Sequence, residues 1–214
     1  MNDLRFAFRQ LLKNPGFTIV AVLTLAVCLG ANLTIFAVVD SVLLRPLPFP
    51  ASGQLVTMYN TYPRAGVERD GASLPNYYER RGNLSSFSGI SVLRYDSAIV
   101  GDVGATERVD VVCISPEFFS TLGVGPAIGR VFTESKTTYQ TDAVAILTDT
   151  YWRQYLKADP AAIGHQIRVD GNLRTVVGVL PPKFSFLSSK AQLYFPLASS
   201  PQDRLVKQLS KTYE

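Results

Sequence analysis

The sequence predicts an α+β protein in two parts. One N-terminal transmembrane helix leads into an extracytoplasmic domain of short strands mixed with short helices. Three observations predict this. Phe17 to Val39 is a run of 23 residues without a single charge. About 170 residues follow it, enough for one domain or two small subdomains. Within them, short apolar or alternating runs are separated by turn and helix-start signals, the pattern of mixed short elements.

The apolar run (FTIVAVLTLAVCLGANLTIFAVV) contains one glycine, no proline, and only Thr18, Thr24, Asn32 and Thr34 as clearly polar side chains. As a helix it would be roughly 34 Å long, enough to cross the hydrocarbon core, and a continuous helix satisfies its own backbone there. It is too long for the apolar stretch of a secretory signal, and Val27 occupies the position that a lipoprotein signal keeps small before its cysteine. Ala26, Gly30 and Thr34 recur every four residues, a small-residue face that lets another helix approach closely. Asn32 adds an amide that would want a partner in the membrane.

Residues 1–16 read as a cytoplasmic elbow helix. Leu4, Phe8, Leu11 and Leu12 fall on one stripe, and Arg5, Arg9 and Lys13 repeat on a neighbouring one. Such a helix can lie in the interface with its basic side chains toward anionic headgroups; the alternative is an ordinary basic flank. Asn14-Pro15-Gly16 is expected to break it. Arg5, Arg9 and Lys13 precede the span, whereas Asp40 and Arg45 follow it, so the N-terminus should stay cytoplasmic. The span is assigned to 17–44, a stiff proline-rich tether to 45–52, and the outer domain to 53–214. In the tether, Pro46, Pro48 and Pro50 alternate with Leu47 and Phe49 and favour extended chain.

Beyond the tether, Gln54 to Tyr59 reads as a strand and Arg64 to Gly71 as a polar loop. A short helix starts at Ser73 or Leu74 and is stopped by Gly82; its Glu79, Arg80 and Arg81 read as a solvated face. Ile90 to Leu93, Ala98 to Val100 and Glu107 to Ile114 are expected strands. Ser115-Pro116-Glu117 opens a helix through Leu122, with Ser115 as the cap. Ala143 to Leu147 is a strand, and Asp149 can cap a helix through Leu156. Gln166 to Val169 and Arg174 to Val179 flank Asp170-Gly171, the strongest hairpin signal in the chain. Leu193 to Phe195 adds a strand, and the spacing of Leu205, Leu209 and Tyr213 predicts a final helix.

Composition narrows the function. The formal charge is +4, of which +2 sits in the first sixteen residues, so the outer part is nearly balanced and a nucleic-acid partner has little support. Cys28 and Cys113 are the only cysteines and belong to different phases, which argues against an intrachain disulfide. His165 is the sole histidine, and with two separated cysteines it cannot supply a zinc set. No G-x-S-x-G occurs, which disfavours an extracytoplasmic hydrolase. Gly123-Val124-Gly125-Pro126-Ala127-Ile128-Gly129-Arg130 lacks the Lys-Ser or Lys-Thr of a phosphate loop and reads as turns. No catalytic, cofactor-binding or metal-binding residues are assigned, and the expectation is a protein that is not an enzyme and carries no cofactor.

Several phrases together resemble one family. Asp3-Leu4-Arg5, Arg9-Gln10-Leu11 and Asn14-Pro15-Gly16-Phe17-Thr18 precede a span ending Gly30-Ala31-Asn32 and Ile35-Phe36, with the exit Val42-Leu43-Leu44-Arg45-Pro46-Leu47-Pro48-Phe49. Ser115-Pro116-Glu117-Phe118-Phe119, Pro126-Ala127-Ile128-Gly129-Arg130-Val131-Phe132 and Val169-Asp170-Gly171 through Pro181 continue it. This succession resembles the N-terminus of MacB-like ABC transporter permeases of the acidobacterial type, up to about Leu197. The resemblance implies an inner-membrane protein with a porter-like periplasmic core domain behind its first transmembrane helix. The implied partners are the lipid bilayer, a cytoplasmic ABC ATPase and further permease helices, for efflux or mechanotransmission. Such permeases have a second subdomain and three later spans; their lack here leads us to expect a truncated or split permease. The alternative is a stand-alone membrane-anchored binding or sensing module.

Overall fold

The computed structural model describes residues 2–41, 47, 49–81, 83–102, 104–138, 141–187 and 190–200. The expected final helix, the stop at Gly82, and Arg45, Pro46 and Pro48 of the tether lie outside the described residues. The chain divides into two units, Met1–Leu47 and Pro48–Glu214.

The first unit is two helices, α1 (Asn2–Lys13) and α2 (Pro15–Val39). Only Asn14 interrupts them. The expected three-residue break is therefore shorter: Pro15 stands in the first turn of α2, where its missing N–H costs nothing. The Thr18 hydroxyl donates to the carbonyls of Leu11 (2.7 Å) and Asn14 (3.0 Å), tying the two helices at the elbow. α2 has no buried residue. Residues 40 and 41 continue it in a wider turn.

In the second unit the chain turns at once. The N–H of Ser52 donates to the carbonyl of Phe49, and Ser52–Gln54 form a 3-10 turn. Extended geometry therefore ends at Phe49, whose ring is buried beside Phe184 and Phe186 at 6.2 and 6.0 Å. The strand expected over Gln54 to Tyr59 is absent. Instead β1 (Asn60–Tyr62) pairs antiparallel with β2 (Val67–Asp70), and β2 lies within the stretch 64–71 that read as a polar loop. α3 (Leu74–Arg80) starts at Leu74, one of the two expected starts, and is capped by Ser73, whose hydroxyl accepts from the Asn76 N–H at 3.4 Å.

β3 (Leu93–Asp102) is one ten-residue strand where two short ones were expected, paired along its whole length with β4 (Ala105–Ile114). α4 (Phe118–Leu122) follows. Ser115 does not cap it: its hydroxyl accepts from the Val92 N–H at 3.1 Å, and Glu117 holds the cap position without a capping bond. Next come β5 (Ile128–Gly129), β6 (Val144–Leu147) and α5 (Asp149–Tyr155). Thr148, one residue before the expected Asp149, caps α5 through the Tyr151 N–H, and Asp149 pairs with Arg153 instead. β7 (Gln166–Val169), β8 (Asn172–Val179) and β9 (Leu193–Pro196) complete the domain. Asp170 and Gly171, at φ 48° and 80°, form the two-residue turn that matches the twist of a hairpin.

The seven strands β3 to β9 run β5-β8-β6-β9-β4-β3-β7, and β7 also pairs with β8, so six of them close on themselves. Closure on the β3 side rests on one residue pair, Val100 with Val169. Strand alternation sorts side chains to two cores. Val109, Val111, Ala145, Leu147, Leu193 and Phe195 join Tyr151 and Trp152 of α5 in one. Val112, Ile114, Val144, Ile146 and Tyr194 join Phe118 and Phe119 of α4 in the other. In β8 the alternation slips at Gly178, where the register with β6 shifts; a Cβ there would lie 2.7 Å from the Arg130 carbonyl oxygen, a bulge only glycine fits.

Candidate functional site

The residues singled out for function fall first on the helical unit. Arg5, Arg9 and Lys13 lie on α1, with Arg9 and Lys13 exposed. Ala26, Gly30 and Thr34 lie on α2, also exposed. Thr34 donates to the Gly30 carbonyl at 2.8 Å and Asn32 Nδ2 to the Cys28 carbonyl at 3.0 Å, so both are served within their own helix. A Cβ on Gly30 would meet nothing within 4 Å. Among the described residues, Pro15–Val39 is the one helix long and apolar enough to cross a membrane.

In the outer domain, His165 is exposed. Both cysteines are free thiols, and burial raises the Cys113 thiol above its ordinary value. Among the described residues no group of three or more His, Cys, Asp and Glu side chains could hold a metal.

Of the side chains read as a solvated face, Glu79 is exposed, whereas Arg80 and Arg81, at the end of α3, form a junction instead. Arg81 forms two hydrogen bonds with Glu134, at 3.0 and 2.8 Å, and an ion pair with Glu117. The Tyr77 hydroxyl donates to Glu117 at 2.7 Å. Burial, then the bond to Glu117, push the Tyr77 phenol well above its usual range, and Glu134 holds Arg81 firmly charged. Arg80 donates to Asn60 Oδ1 at 2.7 Å, which fastens the β1–β2 ribbon to α3. Tyr78 meets Ser199 at 2.7 Å. Replacing Arg81 by methionine should strip two carboxylates of their shared cation and cost about 1–3 kcal/mol. Urea unfolding, followed through the single tryptophan, Trp152, would measure it; a loss below about 0.5 kcal/mol would place the junction with ordinary surface pairs.

A second polar cluster lines a cavity of about 230 Å³. Its floor includes Val111, Cys113 and Phe195, and Arg94, Asp96, Asp142 and Arg174 surround it. Arg174 donates to the Asp142 carbonyl (2.5 Å) and carboxylate (3.2 Å), and its guanidinium lies 4.6 Å from the Phe195 ring centre. Sequence reasoning missed both clusters because their members come from distant strands and loops and share no local motif.

The helical unit and the mixed domain after it in sequence define a protein with one candidate membrane-spanning helix and one large α/β domain. The chain belongs to the MacB-like periplasmic core domain family, whose sequence profile matches residues 18–213; it is the periplasmic domain of a membrane permease, as the resemblance implied. No curated protein matches the chain. Among solved structures it is similar to the periplasmic region of MacB from Actinobacillus actinomycetemcomitans, at 15% identity and TM-score 0.49, over 72% of this chain and 67% of that one. It is also similar to the extracellular domain of the noncanonic ABC-type transporter YknZ from Gram-positive bacteria, at 12% identity and TM-score 0.46, over 60% of this chain and 63% of that one.

Proposed function

We propose that this chain is a non-catalytic component of an ABC-type transporter in the cytoplasmic (inner) membrane. α2 spans the bilayer with α1 in the cytoplasm, and the outer domain lies in the periplasm and moves with a cytoplasmic ABC ATPase. The observation that carries this reading is an apolar α2 without one buried residue ahead of a MacB-like periplasmic core domain. A helix of that kind leaves its whole surface for lipid and other helices. Arg5, Arg9 and Lys13 set the orientation, and Ala26, Gly30 and Thr34 form the face against further permease helices.

A pull-down from mildly solubilised native membranes, through a tag on the N-terminus, tests it. The expected result is recovery of an ABC ATPase or a second permease chain. Because Gly30 has open space around it, Gly30→Leu should leave the chain itself intact yet reduce partner recovery severalfold. A stable, abundant chain recovered alone would favour the membrane-anchored binding or sensing module.

A further inference from the structure

We infer that Phe49 is a latch: its ring holds the loop between β8 and β9, residues 181–187, in a strained conformation that the loop leaves when Phe49 is withdrawn. Phe49 is the first buried residue of the described chain, between the exposed Leu47 and Pro50. Among the buried residues of its core it alone precedes Val112. The chain that follows α2 is thus first pinned to the outer domain by one side chain. Its ring meets two rings of the loop, Phe184 at 6.2 Å and Phe186 at 6.0 Å. Those two also meet α4 and β9. Phe186 lies 5.0 Å from Phe118, and Phe184 lies 6.0 Å from Phe119 and 5.9 Å from Tyr194. Pro50 lies against Gly123 at the end of α4, where a Cβ would stand 3.5 Å from the proline Cγ.

The loop's backbone carries the strain. Lys183 and Leu187 sit at φ 64° and 52°, left-handed conformations that a lysine or a leucine rarely adopts. Both side chains are exposed, so their own contacts do not offset the cost. The residues between them do, because Phe184 and Phe186 alternate with the exposed Ser185 and bring half-buried rings to Phe49. Backbone support is slight. Among the described residues, two bonds run within the loop: the Phe184 N–H to the Pro181 carbonyl at 3.1 Å, and Ser185 Oγ to the Leu187 carbonyl at 3.4 Å. A strained segment held by a few ring contacts opens at a lower free energy than the sheet around it. Removing one ring of the cluster therefore releases the loop before it unfolds the domain. In the transporter reading above, on which only the source of the pull rests, a shift of the membrane helix reaches Phe49 first and frees this loop.

The test is limited trypsin digestion of the full chain in detergent micelles, with the cuts located by mass spectrometry. Lys183 is exposed, but a protease binds its substrate extended, so a lysine at φ 64° is cut only when the loop lets go. Phe49→Ala should speed the cut after Lys183 about tenfold or more, while Trp152 fluorescence stays native. Val144→Ala, in the same core but outside the ring cluster, should not single out Lys183. Adding Leu187→Gly to Phe49→Ala should slow the cut severalfold, because glycine takes a positive φ without strain. Leu187→Gly alone should slow it too, which keeps the test decisive if Phe49→Ala fails to fold. A cut that Phe49→Ala leaves unchanged, or raises only as much as at every other basic site, would overturn the latch. Faster cutting in Leu187→Gly would overturn it as well. The digest needs no ATPase, so a chain recovered alone in the pull-down would sink the transport reading and leave the latch to these results.

Discussion

Truncating Phe118 to alanine is expected to destabilise the outer domain by about 3–5 kcal/mol, a large share of a typical domain's stability. Phe118 is 1% exposed on a helix of five residues. Its ring packs at 5.4 Å from Phe119, 5.0 Å from Phe186 and 6.3 Å from Tyr194. These rings hold one another and leave little freedom to collapse into the space a missing phenyl would create, so the cavity cost adds to the lost transfer energy. Trp152 reports from the opposite core. Because β4, β6 and β9 supply side chains to both cores, its fluorescence in urea should shift to lower midpoints in one transition. A Trp152 transition that stayed in place would mean that the two faces unfold separately. His165→Ala, at an exposed position, should move the midpoint by no more than about 0.5 kcal/mol equivalent.

Elements whose pattern is local were legible in the sequence. Val144-Ala145-Ile146-Leu147 is buried at every position, and a short run apolar on both faces has few alternatives to a central strand. Asp170-Gly171 announced its hairpin because both residues accept positive φ. Caps were displaced by a residue or two where neighbouring side chains compete. Ser115 has the right chemistry to cap α4, but the Val92 N–H of another segment claims its hydroxyl. The β1–β2 ribbon was illegible for a different reason: all four residues of β2 are exposed, so no apolar alternation marks it. β3 was divided because Arg94 and Asp96 interrupt its inward face at the cavity, where core residues would otherwise stand. The Arg81 junction joins three segments distant in sequence, and only the closed sheet brings them together. Charge on a helix is weak evidence of a solvated face when its partners lie elsewhere in the chain.

Replacing Arg5, Arg9 and Lys13 together by glutamine is expected to turn a uniform topology into a mixed one. In the orientation proposed above the three cations form the basic excess that retains a flank in the cytoplasm, and each costs about 2.5–3.5 kcal/mol to place at the membrane centre, less near its ends. Without them Arg45 is the only basic residue adjacent to the span, on the opposite side, and the preference weakens or reverses. Labelling with a membrane-impermeant maleimide in intact cells measures it. Ser85→Cys, at an exposed position of the outer domain, should be labelled in the parent and substantially less in the triple variant, while Gln10→Cys should show the opposite change. Single substitutions should give intermediate fractions, since the bias accumulates with each charge. If the triple variant instead labels like its parent, the basic flank does not determine orientation. The remaining candidate would then be the apolar side of α1, where Leu11 and Leu12 are exposed and can hold the elbow in the cytoplasmic interface by burial alone.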